Sequence, residues 1–107
     1  MKTEALSDHC AVAAAFLSLL ANPKRLSILH HVTQREYSVG ELSRCVGLSQ
    51  SALSQHLSKL LRGELVERRR DAQTIHYSCT SPAVGKLLTT LGEILPDSGC
   101  AVAPSGE

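Results

Sequence analysis

At 107 residues the chain is one domain long, since single cores run to about 100–150 residues before chains divide. With 43% hydrophobic and 20% charged residues it holds enough apolar material for a core, which excludes wholesale disorder, while Phe16, Tyr37 and Tyr77 alone are too few for the stacking platform that single-stranded nucleic acid requires. A formal charge of +1 gives no global pull toward phosphate, so a nucleic-acid reading rests on where the charge lies.

From His9 to Leu20, Val12, Phe16, Leu19 and Leu20 recur at helical spacing among alanines, predicting a first helix. Asn22 is a favoured N-cap, and Pro23 suits the first turn of a second helix, where its missing N–H costs nothing. That helix reaches about Thr33, with Leu26, Ile28, Leu29 and Val32 turned inward and Lys24 and Arg25 expected to face outward. Ser38 followed three residues later by Glu41 is a capping box, opening a third helix over 39–46. Gly47 can take the left-handed conformation that ends it, and Ser49 caps a fourth helix that runs to about Arg62 and stops at Gly63. Leu42, Val46 and Leu48 are expected to bury against Leu53, Leu57 and Leu60.

After Gly63 the period changes to about two. Residues 65–70 and 74–79 flank Asp71-Ala72-Gln73 and predict a β-hairpin whose first strand carries Arg68, Arg69 and Arg70. Ser81-Pro82 repeats the cap-then-proline signal, and Val84, Leu87, Leu88, Leu91, Ile94 and Leu95 stripe a fifth helix that Pro96 ends. Residues 97–107 read as a tail on a single domain spanning 1–107. The fold class is therefore mainly α with a β-hairpin wing: a winged helix-turn-helix of five helices. No leader pattern precedes residue 30 and no apolar run is long enough to span a bilayer, so the expected compartment is the cytoplasm, without a membrane partner.

A helix, a tight turn and a second helix with a polar exposed face fit the major groove, about 12 Å wide, of double-stranded DNA. The fourth helix offers that face. Base contacts are expected from Gln50, Ser51, Ser54 and Gln55, because Gln can bond adenine edges bidentately and Ser reaches bases or phosphates. Phosphate anchoring is expected from Ser49, His56 and Lys59 and, on the wing, from Arg68, Arg69 and Arg70. Polar side chains on a helix also suit an ordinary solvated surface, so the reading leans on the arginine-rich wing beside them. No Gly-rich phosphate loop, nucleophile elbow or paired carboxylate is present, which argues against an enzyme and against a cofactor.

The segments Ala21-Asn22-Pro23-Lys24-Arg25-Leu26, Gly47-Leu48-Ser49-Gln50-Ser51-Ala52-Leu53-Ser54-Gln55-His56-Leu57 and Arg70-Asp71-Ala72-Gln73-Thr74-Ile75-His76-Tyr77 resemble, in order, the ArsR/SmtB family of winged-helix repressors. The likeness spans about residues 10–95, and within the family it points to the branch holding a rhizobial nodulation regulator and sulfide-responsive repressors. It implies a homodimer built on helices one and five, a pseudo-palindromic operator near a promoter, and control by an effector. The apolar surplus on the terminal helices agrees with such an interface. A twofold dimer would set two recognition helices about 34 Å apart.

Against the zinc-sensing pattern of the family, the aligned positions hold Ser81, Ala83, Ile94 and Asp97, a poor set for the roughly four N, O or S donors of tetrahedral zinc, so no metal site is expected. Where arsenic sensors carry a Cys pair, this chain has Tyr37-Ser38-Val39. Four cysteines, none in a CxxC motif, remain. Cys10 and Cys100 fall in segments that the family packs together across the dimer, making them the candidate effector thiols for oxidation, reactive sulfur or a thiophilic metal. Sulfide-responsive relatives place one sensing Cys where His30 aligns and another near Pro96, so only Cys100 has a counterpart. Cys45 and Cys79 are expected to be buried small hydrophobes. The alternatives are a regulator without an effector and a winged helix that binds protein.

Overall fold

A computed structural model describes residues 9–95. Five helices and three strands occur among them in the order α1 (Cys10–Leu20), α2 (Pro23–Val32), β1 (Tyr37–Ser38), α3 (Val39–Val46), α4 (Gln50–Arg62), β2 (Glu67–Asp71), β3 (Thr74–Ser78) and α5 (Pro82–Ile94). Cys100 and the expected tail lie outside the described residues.

The local signals set the helix ends. Asn22 Oδ1 accepts from the backbone N–H groups of Lys24 and Arg25, satisfying two of the donors left orphaned at the start of α2. Ser38 and Glu41 form the full capping box of α3, and Ser49 Oγ accepts from the Ala52 N–H at the head of α4. Gly47, at φ 69°, closes α3, and Leu48 N–H reaches back to the Ser43 carbonyl as in a Schellman turn. The Ser43 hydroxyl in turn donates to the Leu48 carbonyl, so the turn between α3 and α4 is bonded from both sides.

The end of α4 differs from expectation. Gly63 is not left-handed (φ −82°); the positive φ of 62° falls on Glu64. Glu64 N–H bonds the Leu61 carbonyl and Leu65 N–H bonds the Leu60 carbonyl, completing a Schellman motif one residue later than expected. Gly63 serves a different purpose: a Cβ there would overlap Leu19 Cδ1 and make that side chain shift, so its absence lets Leu19 of α1 pack closely on the end of α4.

Lys24 and Arg25 also depart from the expected outward pose. Lys24 Nζ donates to the Val46 carbonyl at 2.8 Å and Arg25 Nε to the Leu19 carbonyl at 2.6 Å. Both are half-buried cations placed against the carbonyl ends of α3 and α1, where the helix dipole favours positive charge.

The sheet is antiparallel in the order β1-β3-β2. The two-residue strand β1 carries no signal in the sequence pattern; it pairs Tyr37 with Tyr77 and Ser38 with His76. The hairpin loop is two residues, Ala72-Gln73, between the paired Asp71 and Thr74, with Ala72 at φ 58°.

Leu42, Val46, Leu53, Leu57 and Leu60 are buried as expected, while Leu48 is half-buried. The core continues into Ile28, Leu29 and Val32 of α2, Leu65 and Val66 before β2, and both tyrosines. The Cys79 N–H donates to the Val32 carbonyl and fastens the end of β3 to α2. Of the α5 stripe only Val84 is fully buried, and Ile94 and Leu95 are 66% and 59% exposed. Among the described residues no single helix is long and apolar enough to cross a membrane.

Candidate nucleic-acid interface

Helix α4 separates its residues by chemistry. Leu53, Leu57 and Leu60 are at most 1% exposed, and on the far side Gln50, Ser51, Ser54, Gln55, Ser58, Lys59 and Arg62 are all exposed. No carboxylate occurs between Glu41 and Glu64, and the first turn of α4 has no acidic residue. The helix therefore presents a row of short donors and acceptors, a positive dipole end and two basic side chains near its C-terminus, a surface suited to base edges bordered by phosphate.

The expected residues divide on inspection. Gln50, Ser51, Ser54, Gln55 and Lys59 are exposed on one continuous face. Ser49 is exposed with its oxygen engaged in capping, which leaves its hydroxyl hydrogen to donate. His56 is turned aside and half-buried, with Nδ1 3.4 Å from Arg25 Nη1. Burial first, then the charges of Arg25 and Lys59, hold its pKa below the ordinary 6.5, so near neutrality the ring is uncharged and suits an acceptor role better than a cationic one.

Ser58 and Arg62, polar and basic positions of the same helix to which the sequence assigns no contact, join the site. A shallow cleft on this face is lined by Ser54, Gln55, Ser58, Lys59 and Arg62, and Arg62 Nη1 bonds Ser58 Oγ at 3.1 Å. The signal was available, since residues 54, 58 and 62 are spaced by four and share a helix face.

The three arginines of β2 do not act alike. Pairing sets Arg68 opposite Tyr77 and Arg70 opposite Ile75, on one face of the hairpin, and Arg69 opposite His76 on the other. Arg69 is engaged by Glu36 through Nε at 2.9 Å and Nη2 at 2.7 Å, the bidentate geometry that guanidinium and carboxylate share. The Arg69 hydrogen bond is the main reason the Glu36 carboxyl titrates below its ordinary value. Arg68 and Arg70 are both exposed.

Cys10 opens α1 and is exposed. Cys45, expected to be buried, is exposed as well, because its position on α3 turns away from the stripe of Leu42 and Val46. Cys79 is buried at the end of β3, and burial pushes its thiol pKa up. Among the described residues no three His, Cys, Asp or Glu side chains gather as metal ligands.

A helix-turn-helix whose second helix shows a polar, carboxylate-free face beside a basic two-stranded wing defines the winged-helix class of DNA-binding proteins. The family model described as bacterial regulatory protein, arsR family, matches residues 22–68. The nodulation protein NolR of Rhizobium meliloti is 58% identical over 95 residues, covering 89% of this chain and 78% of that protein. The crystal structure of NolR from Sinorhizobium fredii matches with a TM-score of 0.79 at 54% identity, over 88% of this chain and 93% of that one. That of the transcriptional repressor BigR from Xylella fastidiosa gives a TM-score of 0.84 at 32% identity, over 90% and 98%. The chain belongs to the ArsR family and is a DNA-binding transcriptional regulator.

Proposed function

We propose that the protein is a cytoplasmic, non-enzymatic repressor that binds a pseudo-palindromic operator as a homodimer. The observation that carries this reading is the division of α4, leucines sealed within and Gln50, Ser51, Ser54, Gln55 and Lys59 exposed without. Gln50, Ser51, Ser54 and Gln55 read bases, and Ser49, Lys59, Arg68 and Arg70 hold phosphates, with Ser58 and Arg62 extending the contact. His56 and Arg69 serve the same surface from behind, by shaping it.

The dimer reading is supported by the large hydrophobics exposed among the described residues: Val12 and Leu17 on α1, Ile94 on α5 and Leu95 just after it. An apolar surface of this kind is stable when another copy covers it.

A response to oxidants, reactive sulfur or thiophilic metal belongs to the same reading through Cys10, exposed at the start of α1, and Cys100. Substituting both with Ser should abolish the response, and a wild type that responds to none of these agents is a regulator without an effector.

The test is a gel-shift series with genomic duplex fragments. Gln55→Ala should lower affinity by about tenfold, as expected for loss of one bidentate base contact, and Arg70→Gln should lessen the salt dependence by about one phosphate equivalent. Binding that both variants leave untouched would overturn the assignment of this face, and a wild type that binds no duplex would favour a protein-binding winged helix.

A further inference from the structure

Arg25 reaches further than a helix cap requires. Its backbone N–H is held by Asn22 Oδ1, which fixes where the side chain leaves α2. The guanidinium then spreads across three partners: Nε to the Leu19 carbonyl at 2.6 Å, Nη2 to the Ser18 carbonyl at 3.3 Å, and Nη1 to His56 Nδ1 at 3.4 Å. Ser18 and Leu19 lie in the last turn of α1, whose exposed side chains are those proposed to meet a second copy, and His56 lies next to Gln55 on the helix assigned to the groove.

We propose that Arg25 is a positioning residue whose guanidinium locks α4 to the end of α1, and so sets the angle and separation at which the two recognition helices of a dimer meet DNA. The inference rests on the DNA-binding reading of α4. A planar fork with several fixed donors can hold two helices in one relative orientation, whereas a lysine ammonium is a single point charge on a flexible stem. The close approach of Gly63 to Leu19 is a second contact between the same two helices.

The joint needs His56 neutral, with the Nδ1 lone pair toward Arg25. The charged groups facing the ring are Arg25 from α2 and Lys59 one turn along α4, both cations that oppose its protonation. Helix α1 contributes only carbonyls here and has no ionisable side chain but Cys10. Protonation removes the acceptor and sets like charges together, which releases α4 from α1.

The test compares a duplex enriched from a random pool by the wild-type protein with the unselected pool, reading the ratio of the two affinities. Arg25→Lys and His56→Leu should each lower that ratio by about tenfold while affinity for the unselected pool changes little, and the double variant should lose no more than the worse single. His56→Gln, whose amide oxygen can accept the same bond, should keep most of the ratio and lose the fall expected of the wild type as the pH drops below the ordinary histidine range. Should Arg25→Lys unfold, His56→Leu, which leaves the α1–α2 bonds in place, carries the test.

Additive losses, equal losses on both duplexes, or an unchanged ratio in His56→Leu would overturn the inference while leaving the DNA-binding reading intact. Failure of the wild type to enrich any duplex would remove both.

Discussion

Helices α2, α3 and α4 each begin at a side chain that bonds the exposed backbone, and each buries its apolar side within this one chain: Leu29, Leu42, Leu53 and Leu60 are all fully buried. Helix α5 is capped as well, by Ser81, but both terminal helices leave most of their apolar surface uncovered. Apart from Cys10 and Ser18, α1 is apolar on every side, yet Leu20 alone is buried and no side chain caps its start, and α5 buries only Val84. A helix hydrophobic all round belongs in an interior. The comparison teaches that the helix-turn-helix is enclosed by the chain itself, whereas the frame that carries it leaves apolar side chains exposed, as the proposed dimer requires.

The sharpest break falls in the finished region. Leu42→Ala should cost about 2–5 kcal/mol, the usual penalty for a cavity in a closed core, measured as a shift in the urea midpoint. A cost under about 1 kcal/mol would mean that this core is looser than its burial indicates. In the frame, Val12→Asp with Ile94→Asp should raise the dimer dissociation constant at least about a hundredfold by sedimentation, because both side chains are 66% exposed in the single chain.

Ser38→Ala removes the accepting half of the α3 capping box and should cost about 1 kcal/mol in thermal unfolding. Ala72→Gly should act in the opposite direction, stabilising the wing by about 0.5–1 kcal/mol, since Ala72 carries a φ of 58° that glycine adopts freely. The smallest effect is on acid stability. Glu41, bonded by the Ser38 N–H, and Glu36, bonded by Arg69, both titrate below 4.5. The unfolded chain thus binds more protons below that value, and the contribution of each is present above pH 4.5 and lost as pH falls through its folded pKa. Glu36→Gln should flatten the acid side of the stability profile slightly.

Much of the helix-turn-helix could be read in the sequence because its signals are local: Asn22-Pro23, Ser38 with Glu41, Gly47 and Ser49 act within a turn of where they stand, and the leucines of α4 recur at helical period. What escaped was set by contacts between distant residues. Strand β1 is two residues long and exists because Tyr37 meets Tyr77. The diversion of Arg69 to Glu36 and of Arg25 to Leu19 and His56 joins residues 33, 6 and 31 positions apart. The left-handed residue after α4 is Glu64, while Gly63 lies under Leu19, a contact no local pattern announces. Composition and period could name the site's exposed serines and glutamines, yet could not tell a cation that faces solvent from one that braces the fold.

The most direct measurement is a hydroxyl-radical footprint of the protein on a duplex it has enriched from a random pool. The account predicts two protected patches on one face of the duplex, about one helical turn or 10 base pairs apart, related by a dyad and both weakened by Gln55→Ala. A single patch, or protection that Gln55→Ala leaves unchanged, would contradict it.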